Sequence, residues 1–500
     1  MKTLISLFFH RSCLFLWAGF LSFTPLRSQT VLSPQQLHEE FQLIQKAYTS
    51  LHPGLYRYLT EAEVSAHFVK LQKQLEQPRD RKELFKIYSE FLAGFRCGHT
   101  YCNFWNQSED FKAEVFFQPD KLPFTFRLIE KRMIVAENVS GEKLLHPGAE
   151  IQSLNQIPIA EIIDSLVKYV KGDGFKNHKR ISDLQVSGIG DYEAFDIFYP
   201  LVFPVKDSVV VEGKNLLSGE KFRLKVRLLS PEERLKTLET LYGKKKLTTD
   251  EQWKFEVLDK NTGYLQLGSF TTWSMTMDWK KFLQDSFNQL KQQKIPSLII
   301  DIRDNEGGAD EVLLALSKYI LKTPAKVPCE KDLLSYAVVP SDLRPYLSTW
   351  DESIFDMSGK VVPAERGYFT WRKKYPCGQT YPASKVAYQG NIYLLINAGN
   401  SSATFFLARI AKENRLATLV GEETGGSLNG ITGGMMFFLK LPHSQIEMDI
   451  PLIAGFPEKN MPDGGVTPDI LITPDPLDIA RGKDTCLEAV KNMIAKQFSE

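Results

Sequence analysis

Two serines, Ser401 and Ser402, fall between an apolar run of strand length, Ile392 to Asn397, and a segment in which Ala403, Phe406, Leu407 and Ile410 follow helical spacing. A serine at such a junction exposes its hydroxyl beside the free amides and positive dipole end of a helix. That setting favours a nucleophile whose attack creates an oxyanion. Serine is also among the best helix N-caps, so on this stretch alone the two readings stand side by side. Of the eight histidines, His99 is the most suggestive, flanked by Gly98 and Thr100 where a helix ends; the alternative is a structural histidine. A second turn, Asp304-Asn-Glu-Gly-Gly308, follows the apolar run Ser297 to Arg303 and opens another helical pattern, Glu311 to Ile320. Strand, helix and strand in this order argue a parallel α/β layer, whose sites lie at the carboxyl ends of the strands. Both turns fall at such ends.

The elements that must position these residues divide the chain. From Val31 to about Gly94 the spacing is helical, with apolar faces Leu37, Phe41, Ile44 and Tyr48, then Phe68, Leu71 and Leu75, then Leu84, Ile87, Phe91 and Leu92. His52, Pro53 and Gly54 separate the first two. Residues 116–229 read as β-rich, with short strands at Phe124 to Leu128, Met133 to Ala136 and Glu150 to Leu154, a helix from Ile159 to Tyr169, and strands at Asp207 to Val211 and Phe222 to Leu228. Ser230 to Phe255 is lysine-rich, a linker or a solvated helix. Gly263 to Phe270 alternates like a strand, and a long amphipathic helix follows through Trp279, Phe282, Phe287 and Leu290. The stretch from Thr323 to Gln389 lacks periodicity and reads as an insertion covering the site. Met435 to Leu441 and Gln445 to Leu452 suggest a hairpin, and Asp478 to Phe498 a terminal helix.

The 500 residues suggest about three domains. With 61 basic against 60 acidic residues the net charge is +1, so no nucleic-acid or anionic membrane surface is indicated. The N-terminus pairs Lys2 with an apolar stretch, Ser12 to Phe23, and ends in small and polar residues, the layout of a secretory signal cleaved near Ser28. An uncleaved anchor and a lipoprotein through Cys13 are the alternatives, the latter disfavoured by Arg11. No other segment is long and apolar enough to cross a membrane. A secreted or periplasmic location follows. Beyond the leader lie Cys97, Cys102, Cys329, Cys377 and Cys486, an odd number. Cys329 with Cys377 is one possible staple; Cys97 and Cys102 bracket His99 and are either a disulfide or two buried thiols. No spacing suggests a metal site, and no cofactor is expected.

Several strings together resemble peptidase family S41, the tail-specific or C-terminal processing serine proteases and their tricorn-core relatives. They are Gly98-His-Thr100, the stretch His146 to Leu166, which resembles part of a PDZ domain, Ser297 to Gly308, Ser401 to Phe406, Gly421-Glu-Glu-Thr-Gly-Gly426 and Gly465-Val-Thr-Pro-Asp469. They occur in family order across most of the chain. The resemblance implies an α/β multidomain protein: a signal peptide at 1–28, an N-terminal helical region at 29–112, a PDZ-like β-rich domain at 113–232, a ClpP/crotonase-like α/β catalytic domain at 233–476 with its insertion at 323–389, and a C-terminal helix at 477–500. PDZ domains take a peptide by strand addition and often hold its carboxylate in a loop of amides. The corresponding loop here, Lys121-Leu-Pro-Phe124, has no glycine, and Pro123 has no amide.

The family has a lysine-base branch and a histidine-base branch. The lysine would stand 25 residues after the nucleophile, where this chain has Ser427, so the resemblance points to the histidine branch. It then implies Ser402 as nucleophile, since the family pattern Ser-Ala-x-Glu matches Ser402-Ala-Thr-Phe405, with Ser401 next in line. His99 is the implied base, supported by Asp463 or, second, Glu458. The oxyanion donors would be the amide of Ala403 and one from Gly307 or Gly308. The expected activity is hydrolysis of extended or C-terminal peptide segments through an acyl-enzyme; the alternative is an inactive peptide- or ligand-binding protein of the same fold. Phe405, where the family has glutamate, motivates that alternative.

Overall fold

The computed structural model describes residues 31–373 and 378–499, so the leader expected at 1–28 and Cys377 lie outside it. Three helices open the chain: α1 (Pro34–Leu51), α2 (Glu61–Gln74) and α3 (Arg81–Gly94). Each begins with a reciprocal capping box, Ser33 with Gln36, Thr60 with Glu63 and Asp80 with Glu83, which satisfies amides the first turn leaves unpaired. Their buried faces are those the spacing predicts, Leu37 to Tyr48, Phe68 to Leu75 and Leu84 to Leu92. Two residues past α3, Arg96 adopts φ +58° and swings the chain toward His99.

An antiparallel sheet follows, with β1 (Phe124–Ile129), β2 (Arg132–Asn138), β3 (Ala149–Leu154), β4 (Ser208–Asn215) and β5 (Lys221–Arg227) in sequential order. Helices α4 (Ile159–Leu166) and α5 (Ala194–Val202) interrupt it between β3 and β4. This sheet and the N-terminal helices share one continuous apolar core. The outer edge of β1 is already in use: Phe126 exchanges two backbone bonds with Val186, at 3.0 and 3.2 Å, and the Leu128 amide donates to Gln185 Oε1 at 3.3 Å. The Lys121 amide is likewise committed to the Leu229 carbonyl. Of the two alternatives for residues after Ser230, a helix forms, α6 (Pro231–Tyr242), capped by Ser230 and ended by Gly243 at φ +66°.

The third unit is a six-stranded sheet ordered β13-β10-β9-β8-β7-β6. Its strands are β6 (Trp253–Asp259), β7 (Thr262–Leu267), β8 (Ser297–Asp301), β9 (Asn391–Ile396), β10 (Thr418–Gly421) and β13 (Ile470–Leu471). All neighbours are parallel except β6 against β7. Helices α7 (Trp279–Gln292), α8 (Asp310–Ile320) and α9 (Ser402–Glu413) cover the face formed by Leu298, Ile300, Ile392 and Leu394. The opposite face, Ile299, Tyr393 and Leu395, packs against α10 (Thr485–Gln497). Two covered faces explain why β8 and β9 read as unbroken apolar runs.

β11 (Thr432–Lys440) and β12 (Glu447–Pro457) form the expected hairpin. Among the described residues of 323–389 the pairing is more regular than the pattern suggests: Glu330–Leu333 pairs with β12 and Leu347–Ser348 with β11, while Leu334, Tyr336 and Phe355 enter the large core. Strands this short, paired only at long range, leave no period to read. The single terminal helix expected over Asp478 to Phe498 is broken, because Gly482 adopts φ +65° and Asp484 starts a new helix by accepting from the Leu487 amide. The disulfide alternative for Cys97 and Cys102 is corrected: both are buried free thiols, Cys97 directed at the Thr432 carbonyl and Cys102 lying against Ser89. Cys329 is disulfide-bonded. Among the described residues no helix is long and apolar enough to cross a membrane, and no group of His, Cys, Asp and Glu is placed to hold a metal ion.

Candidate active site

The chain leaving β8 and the chain leaving β9 turn at adjacent strand ends, and three asparagines lace them together. Asn400 Nδ2 donates to the carbonyls of Ile302 and Asn305, and its Oδ1 accepts from the Asn397 amide at 2.9 Å. Asn397 Oδ1 accepts from the Asp304 amide at 2.9 Å. Asn305 donates to the Leu267 carbonyl at 2.7 Å, accepts from the Gly307 amide at 2.8 Å, and its own carbonyl takes the Thr404 hydroxyl at 2.6 Å. Asn305 and Asn400 are fully buried, so the bonds their side chains make to the Ile302, Asn305 and Leu267 carbonyls are shielded from water and hold the two turns together.

At the start of α9 neither serine caps the helix. Ser401 makes no side-chain cap bond; its hydroxyl donates to the Glu306 carbonyl at 3.1 Å. Ser402 adopts φ +51°, an uncommon and strained conformation for a residue with a Cβ, and its hydroxyl has no bond to any described residue. The Ala403 amide has no acceptor among the described residues either. Gly307 lies directly against this turn: a Cβ there would stand 2.8 Å from both Ser402 Cβ and the Ala403 amide nitrogen. Gly308 forms a parallel bridge to Phe270, in which Phe270 donates to the Gly307 carbonyl and Ala309 donates to the Phe270 carbonyl. The bridge leaves the Gly308 amide free while the Gly307 amide is taken by Asn305. A Cβ on Gly308 would lie 2.4 Å from Phe270 backbone atoms, so only glycine fits.

His99 packs on Gly433, at the start of β11, where a Cβ would be 3.3–3.4 Å from Cε1, Nδ1 and Nε2. The stretch after α1 builds this seat. The Gly54 amide donates to His52 Nδ1, so the His52 proton sits on Nε2 and is donated to Thr100 Oγ1 at 2.8 Å. Arg57 donates to the carbonyls of Asn429 and Gly455 and to Thr432 Oγ1, at 2.5, 2.7 and 3.1 Å. Burial pushes the His99 pKa below the ordinary histidine value; Asp173 and Glu306 favour the charged ring, Lys171 opposes it, and the balance leaves a neutral imidazole. His99 Nδ1 is buried without a partner, and no hydrogen bond joins His99 to Ser402. Glu306 acts electrostatically on His99, and its carbonyl accepts from the hydroxyl of Ser401, next to Ser402.

The carboxylates are arranged by the segment after α4. Asp173 is buried and accepts from the Gly98 amide at 2.9 Å, beside His99. Asp463 Oδ2 accepts from the Phe175 amide at 2.9 Å, and its Oδ1 is buried without a partner. Glu458 is exposed beyond β12, in a surface crevice shared with Lys326, Arg409 and Glu413, apart from the other residues named from the sequence. Glu306 is bonded by Lys171 at 3.3 Å and Lys179 at 2.7 Å. Desolvation opposes its charge, yet the two ammonium groups outweigh it and hold the carboxylate well below its usual range. Ser427, at the position where the other branch would have lysine, is buried and accepts from the Tyr58 hydroxyl at 2.7 Å. Phe405 is fully buried in the catalytic core, its ring against Gly426.

Sequence reading missed Asn305, Asn397, Asn400, Asp173, Lys171 and Lys179. Gly172-Asp-Gly174 carries the mark of a tight turn, the only signal available for Asp173.

Residues 261–472 match the family model described as peptidase family S41. No curated protein matches the chain. Among solved structures, mature CPAF superposes with a TM-score of 0.58 at 14% identity, covering 89% of this chain and 94% of that one. Mature CPAF complexed with lactacystin gives 0.61 at 14%, over 92% and 98%. The photosystem II D1 C-terminal processing protease gives 0.40 at 14%, over 90% and 98%. At such identity the CPAF superpositions carry the fold alone. The protein is a serine-type peptidase. Its segment 261–472, which includes both turns and α9, belongs to family S41.

Proposed function

We propose that the protein is an endopeptidase that cuts extended or C-terminal segments of polypeptides through an acyl-enzyme on Ser402. The observation that carries this reading is the Ser402 turn: a strained, unbonded serine at a helix start whose first amides no side chain caps, beside the free Gly308 amide. Neutral His99 takes the Ser402 proton as Oγ attacks the scissile carbonyl. The oxyanion is received by the amides of Ala403 and Gly308, each worth about 3 kcal/mol in the transition state; Gly307 serves by allowing close approach. The imidazolium then protonates the leaving amine, and water repeats the sequence to release the acid.

Asp463, tied to this region by the Phe175 amide, is the acid proposed to complete the arrangement, with Glu458 as the second candidate. Asp173 supplies the strongest favourable charge on the ring. The burial of Phe405 supports a packing role for that residue, in keeping with the active reading. The leader supports export, to the periplasm or outside, and the β1-to-β5 sheet is the proposed PDZ-like domain. Because its β1 edge is occupied, that domain acts as a spacer in this reading.

Incubation of protein lacking 1–28 with an unfolded protein substrate tests the proposal. Cleavage that disappears in Ser402→Ala and falls by several orders of magnitude in His99→Ala is expected; undiminished cleavage by Ser402→Ala would refute it.

A further inference from the structure

A cavity of about 520 Å³ opens beside the nucleophile turns, where Glu306 and Gly399 form one wall. Its size is in the range of specific ligand pockets. Much of its lining is aromatic, from Phe104, Trp105, Tyr169, Tyr192 and Phe198, with Trp105 edge-on to Tyr192 at 4.9 Å and Phe104 at 5.9 Å from Phe198. The charges around the cavity are already paired. Lys171 meets Glu306 and lies 4.4 Å over the Tyr101 ring, Arg127 meets Asp304 at 3.8 Å, and Glu193 meets Arg234 at 2.9 Å. A charged guest would therefore lose its hydration without finding an unpaired opposite charge. Asp183 is paired with Lys179, and its second carboxylate oxygen is buried.

We propose that this cavity receives a large aromatic side chain of the substrate, close to the scissile bond. The inference rests on the peptidase reading above and names the substrate class for that site. Aromatic guests suit the ring wall because edge-to-face contacts add to the apolar burial.

Binding to the Ser402→Ala protein tests the cavity without requiring turnover. Terminally blocked hexapeptides that differ at one position, carrying Tyr, Trp, Phe, Leu, Ala or Lys, are titrated by calorimetry. The Tyr, Trp and Phe peptides are expected to bind at least about tenfold more tightly than the Ala peptide, with Lys no better than Ala. Tyr192→Ala, added to Ser402→Ala, is expected to erase the preference; if it fails to fold, Trp105→Ala, at an exposed rim position, takes its place. Equal binding of all six peptides, a Lys preference, or an aromatic preference that survives both rim variants would overturn the proposal. Fluorophosphonate labelling of the wild-type protein reports separately on the peptidase reading. Labelling of Ser402 without aromatic preference leaves the enzyme and removes the pocket.

Discussion

Gly307→Ala places one methyl group where the Gly307 turn and the Ser402 turn touch. Its Cβ would stand 2.8 Å from the Ala403 nitrogen and from Ser402 Cβ, and 2.9 Å from the Ser401 carbonyl oxygen. All three are parts of a turn laced by buried asparagines, so the neighbour cannot simply rotate away. The backbone there has φ +102°, which adds roughly 1–3 kcal/mol of strain for a residue with a side chain. Separation of Ala403 from Gly308 by even a fraction of an ångström removes one oxyanion donor, worth about 10²- to 10³-fold in kcat. The effect is measured as kcat and KM on a fluorogenic peptide, alongside the thermal midpoint. Gly219→Ala is the control: it has φ +75° with open space around it, so it bears comparable backbone strain without touching the site. A Gly307→Ala enzyme within a few-fold of wild type, or an equal loss in Gly219→Ala, would refute the geometry.

Other outcomes follow from the same contacts. Because burial lowers the His99 pKa, the acid limb of kcat/KM is expected below the ordinary histidine value of 6.5; Asp173→Asn, by removing a charge that favours imidazolium, moves the limb lower still, and an upward shift would contradict the assignment. Asp449, pushed up to about 8 mainly by burial, is protonated in the folded protein at neutral pH. Its stabilising effect is fully present below about pH 4 and is lost as pH rises through 8, so Asp449→Asn should raise the thermal midpoint at pH 8 and flatten the decline between pH 5 and 8, at about 1.4 kcal/mol per pH unit at most. Phe405→Ala should cost about 3–5 kcal/mol of stability in denaturant titration while kcat of the folded fraction survives, as expected of a packing residue.

The parts of the fold legible in the sequence were those governed by local spacing. The apolar faces of α1, α2 and α3 recur every three to four residues, and β8 and β9 read as apolar runs because both faces are covered. Ser402, Gly307 and Gly308 were legible as turn residues at strand ends, and their juxtaposition followed from parallel strands. What escaped reading depends on long-range pairing. Asn305, Asn397 and Asn400 look like ordinary loop residues until the two turns meet, and Asp173 finds Gly98 75 residues away. Cys97 and Cys102 bracket His99 in sequence, yet the thiols point to different neighbours, Thr432 and Ser89.

The central claim is that Ser402 is the nucleophile activated by His99. Intact-mass analysis and peptide mapping after fluorophosphonate treatment test it most directly. One adduct, located on Ser402, absent in Ser402→Ala and nearly absent in His99→Ala, is the predicted result. An adduct on Ser401 or elsewhere, or full labelling of His99→Ala, would contradict it.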